Sequence, residues 1–193
     1  MAGLVYAGTE RIDKPGTKMD VNTAFQVKGH AIPYVSRGGL KLEKALHHFN
    51  INLENLIVLD VGASTGGFTD CALQHGAKLV YAVDVGYGQL DWKLRRDQRV
   101  IVMERTNFRY LKKEDLTHGL PQFACIDVSF ISLRLIFPVL FPLLEENSPV
   151  IALVKPQFEA ERDQVPQKGI IQDKQVHVEV LLKIMASAEE TGF

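Results

Sequence analysis

The sequence predicts an α/β fold: a doubly wound, mostly parallel sheet with helices on both faces. Three observations carry that expectation. From residue 55 onward, short runs rich in Val, Ile and Leu alternate with helix-forming stretches, as strands joined by crossover helices do. The first run ends in VLDVGASTGGFTD (58–70), where a strand breaks into glycines and a helix follows. Asp60, Asp84, Asp127 and Lys155 close four of the apolar runs, which would set them along the carboxyl edge of a parallel sheet.

Residues 1–35 hold two strand-like pieces, LVYAG (4–8) and TAFQVKG (23–29), broken by Lys14-Pro15-Gly16 and Ile32-Pro33. They read as the tail of another module plus a connector. From Arg37 the pattern changes. GGLKLEKALHHFN (38–50) predicts a helix with Leu40, Ala45, Leu46 and Phe49 on one face and Lys41 and Lys44 beside it. Strands are then expected at 55–62, 78–86, 99–106, 123–130 and 148–156. Helices are expected at 66–76 (closed by Gly76), 89–97, 131–144 and 174–190 (closed by Gly192), with a short one near 108–116. Strands this continuously apolar need cover on both faces, and right-handed crossovers provide it. The methyl-rich edge of a fifth strand would lie open after residue 193, so the domain at 36–193 is expected to continue further.

Bulk properties narrow the class. A 193-residue chain with 46% hydrophobic and 23% charged residues suits one soluble domain with a small appendage. Arg134, Pro138 and Pro142 interrupt the apolar run 133–144, well short of the roughly 20 residues of a membrane helix. The N-terminus lacks a basic-then-apolar leader, so a cytoplasmic protein is expected. Cys71 and Cys125 are too few for a disulfide framework or a zinc site, and the six histidines show no metal-binding spacing. No metal is expected. Net charge is −1, but residues 1–44 carry seven Lys/Arg against four Asp/Glu, a weak sign of an RNA-facing end.

The glycine turn constrains the ligand. Gly62-Ala63-Ser64-Thr65-Gly66-Gly67 is not the G-x-G-x-x-G of a dinucleotide site, and no lysine follows as in a phosphate-binding P-loop. The Asp60 carboxylate suits an ammonium group, and Asp84 can accept hydrogen bonds from both hydroxyls of a ribose. An amino acid, a cation and a nucleoside without phosphate together describe S-adenosylmethionine.

Six stretches in order, SRGGLKL (36–42), DVGASTGGFTD (60–70), AVDVGYGQL (82–90), ERTNFRYL (104–111), IDVSFISL (126–133) and LVKPQFEA (153–160), resemble the TlyA-type family. These are hemolysin-named ribosomal RNA 2′-O-methyltransferases, related to the FtsJ-like ribose methyltransferases. The resemblance implies a Rossmann-like, S-adenosylmethionine-dependent domain acting on ribosomal RNA or a ribosomal subunit. It implies that Asp60, Gly62, Ala63, Ser64, Gly66, Gly67, Phe68 and Asp84 hold the cofactor and that Ser36 and Arg37 meet RNA. Residues 5–16 then resemble the final strand of the family's small RNA-binding module. The family's Lys-Asp-Lys-Glu constellation falls on Lys41, Asp127 and Lys155, and its glutamate belongs beyond Phe193.

As general base, Lys155 would have to shed its proton, a change favoured by desolvation and Lys41 and opposed by Asp127. The bland alternatives are a capping or salt-bridged Lys155 and a helix N-cap at Asp127. Asp127-Val-Ser-Phe130 lacks the Pro-Pro pair usual for methylation of base amines, and Cys125 sits in an apolar strand, as a core residue does. An inactive cofactor-binding or RNA-binding protein, a nicotinamide-dependent dehydrogenase and a cytolysin with only indirect effect are the competing classes.

Overall fold

The computed structural model describes residues 5–12, 14, 16–27 and 32–193. Pro15, Leu4, Lys28 and Gly29, which belong to the predicted N-terminal pieces and their break, lie outside the described residues. The chain separates into two compact units, 1–33 and 34–193. In the first, β1 (Val5–Ala7) pairs antiparallel with β2 (Glu10–Arg11) and with β3 (Phe25–Val27).

The second unit is the α/β domain. Helix α1 (Gly38–Phe49) precedes a parallel sheet of β4 (Ile57–Val61), β5 (Leu79–Val83), β6 (Val100–Met103), β7 (Phe123–Ile126) and β8 (Val150–Ala152). Their spatial order is β6-β5-β4-β7-β8, and every pairing is parallel. Each strand is shorter than its apolar run, because the residues beyond its carboxyl end turn away into loops. α2 (Gly67–Gln74) follows β4, α3 (Trp92–Arg95) follows β5, α4 (Phe137–Leu140) follows β7, and α5 (Pro156–Glu159) and α6 (Lys174–Thr191) follow β8.

The alternation of strand side chains assigns the two layers. Leu59, Val61, Tyr81, Val83, Ala124 and Ile126 pack with Ile136, Phe137 and Leu140 and with Val180 and Ile184 of α6. Asp60 faces the other way and meets Thr69 of α2. The sheet is covered on both sides.

Three predicted helices need correction. The stretch 89–97 forms a helix only over Trp92–Arg95, started by the Asp91 side chain, which accepts from Lys93 N at 2.8 Å. The stretch 131–144 breaks into a 3₁₀ turn (Leu133–Leu135), α4 and a second 3₁₀ turn (Phe141–Leu143), with Pro138 and Pro142 each near the start of a new piece. The 108–116 helix is two 3₁₀ turns. In α1 the buried face is Gly39, Leu42 and Leu46, while Leu40 and Phe49 are exposed. Contact decides that face: a Cβ at Gly39 would overlap the Tyr34 ring. His47 and His75, far apart in sequence, meet with ring centroids 5.9 Å apart.

Candidate active site

From β4 the chain runs outward to β5 and β6, then returns to place β7 on the other side of β4. At such a reversal the loops after neighbouring strands diverge and leave a crevice. A cleft of about 260 Å³ lies there, lined by Gly62–Thr65, Gly67 and Phe68 after β4, and by Asp127 and Ser129 after β7. Lys155 closes one side, and Ser36, Gly38 and Lys41 close another. A larger groove of about 910 Å³ runs beside β8, but Phe137, Phe141, Ile184, Met185 and Phe193 give it a mostly carbon lining with no converging catalytic array.

The glycine turn is built for close approach. Gly62 has φ 89°, and a Cβ there would stand 2.7 Å from the Asp127 carbonyl oxygen, so no other residue fits between β4 and β7. Gly62 N and Ala63 N both donate to Val83 O, at 2.9 and 3.0 Å, which bends the loop over the end of β5. A Cβ on Gly67 would come within 2.8 Å of Gly39 N, so the starts of α1 and α2 touch through backbone.

The two acids of the turn act from behind the cleft surface. Asp84 accepts from Ser64 N at 2.8 Å through Oδ2 and from Gly86 N at 2.7 Å through Oδ1. Ser64 is held with φ 48°, and its hydroxyl donates to Gln89 Oε1 at 3.2 Å. Each Asp84 oxygen keeps a second lone pair for a hydroxyl. Asp60, read from the sequence as the acid for an ammonium group, is fully buried. Oδ2 accepts from Thr69 Oγ1 at 2.6 Å, while Oδ1 has no hydrogen-bond partner among the described residues. Burial pushes this carboxyl up to about 7 against the hydrogen bonds from Thr69. Gly66 and the exposed Arg37, at the N-cap of α1, also lie off the cleft lining. Ala63, Ser64, Gly67, Phe68 and Ser36 line it.

Lys41, Asp127 and Lys155, separated by up to 114 positions, meet in one array. Lys41 Nζ donates to Asp127 Oδ2 at 2.9 Å. Lys155 Nζ lies 2.5 Å from Asp127 Oδ1 and donates to Ser129 Oγ at 3.0 Å. Burial alone would raise the Asp127 carboxyl, but the contacts of Lys155 and Lys41 outweigh it and hold it below the ordinary range. Asp127 caps no helix; that work in the following turn belongs to Ser132. Lys155 does occupy the N-cap position of α5 and is salt-bridged, but its side chain caps nothing.

Five residues of the site were not singled out from the sequence. Thr65, Ser129 and Gly38 line the cleft inside motifs already marked, and Gln89 supports the turn. Glu159, buried to 4% exposure, accepts from Ser132 Oγ at 2.5 Å and from Leu133 N at 2.8 Å. It ties the loop carrying Asp127 and Ser129 to the helix that begins beside Lys155.

A parallel sheet whose switch point joins a glycine turn, an acid on the second strand and a lysine–aspartate–lysine array defines a Rossmann-like methyltransferase. The sequence pattern of the FtsJ-like methyltransferases matches residues 34–193, and the chain belongs to that family. It is 59% identical over 193 residues to the Bacillus subtilis protein named "Putative rRNA methyltransferase YqxC", covering 100% of this chain and 69% of that one. It is 42% identical over 198 residues to the 16S/23S rRNA (cytidine-2'-O)-methyltransferase TlyA of Mycobacterium tuberculosis, covering 100% and 74%. Among solved structures, "Putative hemolysin from Streptococcus thermophilus" matches with a TM-score of 0.86 at 57% identity, covering 100% of this chain and 70% of that one. No helix among the described residues is long and apolar enough to cross a membrane.

Proposed function

We propose that the chain methylates the 2′-hydroxyl of a ribose in ribosomal RNA, using S-adenosylmethionine, in the cytoplasm. The observation that carries this reading is the two-lysine clamp on Asp127 at the mouth of the glycine-turn cleft. The names of the relatives in Bacillus subtilis and Mycobacterium tuberculosis support the substrate class.

The residues present fit the cofactor. Its glycines let the 62–67 turn pack directly on β7 and α1 and line the cleft, Asp84 has lone pairs for two ribose hydroxyls, and Asp60 Oδ1 is an unsatisfied acceptor two residues before the turn. Bound there, S-adenosylmethionine supplies a methyl group on a sulfonium, an electrophile that needs no further activation.

The work left to the protein is to aim a hydroxyl oxygen and take its proton. Lys155 is placed for the proton because it is the less exposed of the two lysines, at 19% against 48% for Lys41, and lies deeper beside Ser129. Because Asp127 offers one oxygen to each lysine, Lys41 can carry the carboxylate's charge while Lys155 turns its nitrogen to the substrate. Ser129 Oγ, 3.0 Å from Lys155 Nζ, orients that nitrogen. Glu159 keeps the two loops in register.

Substrate approach has a marker of its own. Phe130 is 91% exposed, sits at φ 62° and lies 4.9 Å from the Phe158 ring, directly after the Asp127–Ser129 rim. With Arg109 beside it in the same surface hollow, this aromatic can stack on a base next to the target ribose. Lys155→Ala tests the assignment: methyl transfer to ribosomal RNA is lost while S-adenosylmethionine affinity changes less than threefold. Retained methyl transfer in that variant would refute it.

A further inference from the structure

Away from the cleft, three side chains from two helices converge at the far end of the α1–α2 pair. Glu43 and His47 lie one turn apart on α1, and His75 immediately follows α2. One ligand atom from each lies within 4.8 Å of the other two. We propose that Glu43, His47 and His75 form a binding site for a divalent transition metal, of which zinc is the best chemical match.

Two imidazoles and a carboxylate are a donor set that zinc accepts, with one position left for water. Two of the three groups are already oriented from outside the cluster. His75 Nδ1 lies 2.9 Å from the Cys71 carbonyl oxygen. A carbonyl only accepts, so Nδ1 carries the proton and Nε2 presents a bare lone pair, the tautomer a metal requires. Glu43 Oε1 accepts from Tyr34 Oη at 2.7 Å, which fixes the carboxylate and leaves its other oxygen for coordination. Supports of this kind, an imidazole N–H on a backbone carbonyl and a hydrogen-bonded carboxylate, surround established metal ligands. His47, the third group, is exposed and edge-on to His75. Metal–ligand bonds of ~2.0–2.1 Å imply donor separations of roughly 3.3 Å, so the three donors, within 4.8 Å of one another, draw together on binding, and the exposed His47 side chain is the freest to move.

The site would clip α1 to α2. Both helices begin at the cleft, where Gly38 and Gly67 touch, and α1 carries Lys41. His47 is six residues beyond Lys41, about 9 Å along the helix axis, so the metal would brace the helix without entering the cleft. The inference does not depend on the proposed methyl transfer.

The test is calorimetric titration of the whole protein with Zn²⁺, together with Co²⁺ absorption spectra. One Zn²⁺ binds per chain, Co²⁺ gives the visible d–d bands of a low-coordinate nitrogen and oxygen site, and saturating Zn²⁺ raises Tm by about 5–10 °C. His47→Ala and Glu43→Gln each weaken Zn²⁺ binding at least tenfold, whereas His48→Ala leaves it unchanged. His47 is exposed, so His47→Ala keeps the metal-free Tm and reports binding alone. Equal Zn²⁺ affinity in the unaltered protein and His47→Ala would overturn the proposal, as would Mg²⁺ binding as tightly as Zn²⁺.

Discussion

Replacing Asp84 by alanine removes a brace and a ligand acceptor in one step. Its two oxygens accept from Ser64 N at 2.8 Å and Gly86 N at 2.7 Å, joining the glycine turn after β4 to the loop after β5. Hydrogen bonds to a charged group are worth about 1.5–3 kcal/mol when sheltered. Ser64 is exposed and water can replace part of the loss, so about 1 kcal/mol each is the reasonable figure. Ser64 also loses the partner that keeps its backbone at φ 48°. The sum, about 2 kcal/mol, is the order the turn must regain on binding, so it weakens the cofactor complex by up to roughly thirtyfold, and the lost ribose acceptor adds to this. Titration calorimetry with S-adenosylmethionine measures it directly. Asp84→Asn, which keeps one acceptor oxygen for two backbone donors, falls between alanine and the unaltered protein. Cofactor affinity within threefold of the original in Asp84→Ala would remove Asp84 from the cofactor site.

Three further outcomes are expected. Gly62→Ala meets both a left-handed φ and the Asp127 carbonyl, so Tm falls by at least roughly 5 °C and cofactor binding is lost; an unchanged melt would contradict the close packing of β4 on β7. Asp60 has a folded-state value raised from 3.8 to about 7, so the stability tied to its bound proton is full below pH ~4 and lost as pH rises through ~7. At about 1.4 kcal/mol per unit the ceiling is about 4 kcal/mol, and Asp60→Asn, which does not titrate, gains on the unaltered protein as pH rises from ~4 to ~7 and levels off above, in melts without cofactor; a pH-independent difference would contradict the burial argument. Phe130→Ala leaves cofactor affinity alone but raises KM for ribosomal RNA by roughly five- to a hundredfold, the worth of one stacked base; an unaltered KM would remove Phe130 from the substrate path.

What the sequence disclosed best were features governed by short-range pattern. The five apolar runs and the glycine turn announced the strands and the crevice, because a strand buried on both faces cannot be written otherwise. Helix faces and extents were harder. The apolar spacing marked Leu40, Ala45, Leu46 and Phe49 as one face, but of these only Leu46 is buried, together with Gly39 and Leu42, where the helix meets Tyr34. Residues 89–97 form a single turn, begun by the Asp91 cap and ended at Arg96. Asp60 was legible as a strand-end acid, but its burial against Thr69 of the next helix was not. Lys41, Asp127 and Lys155 were legible through family resemblance; their convergence on the two oxygens of one carboxylate was not. Glu159 gave no signal, because a glutamate in a polar motif looks solvated until the 3₁₀ turn after Ser132 presents its N–H groups.

The identity of the methylated atom decides between ribose and base chemistry. Ribosomal RNA incubated with the protein, at the length of its relatives, and S-adenosylmethionine labelled in the methyl group is digested with alkali. Label is expected in alkali-resistant dinucleotides, because a methylated 2′-oxygen cannot cleave the adjacent phosphodiester, and no label is expected with Lys155→Ala. Label recovered on a base in alkali-released mononucleotides would contradict ribose methylation.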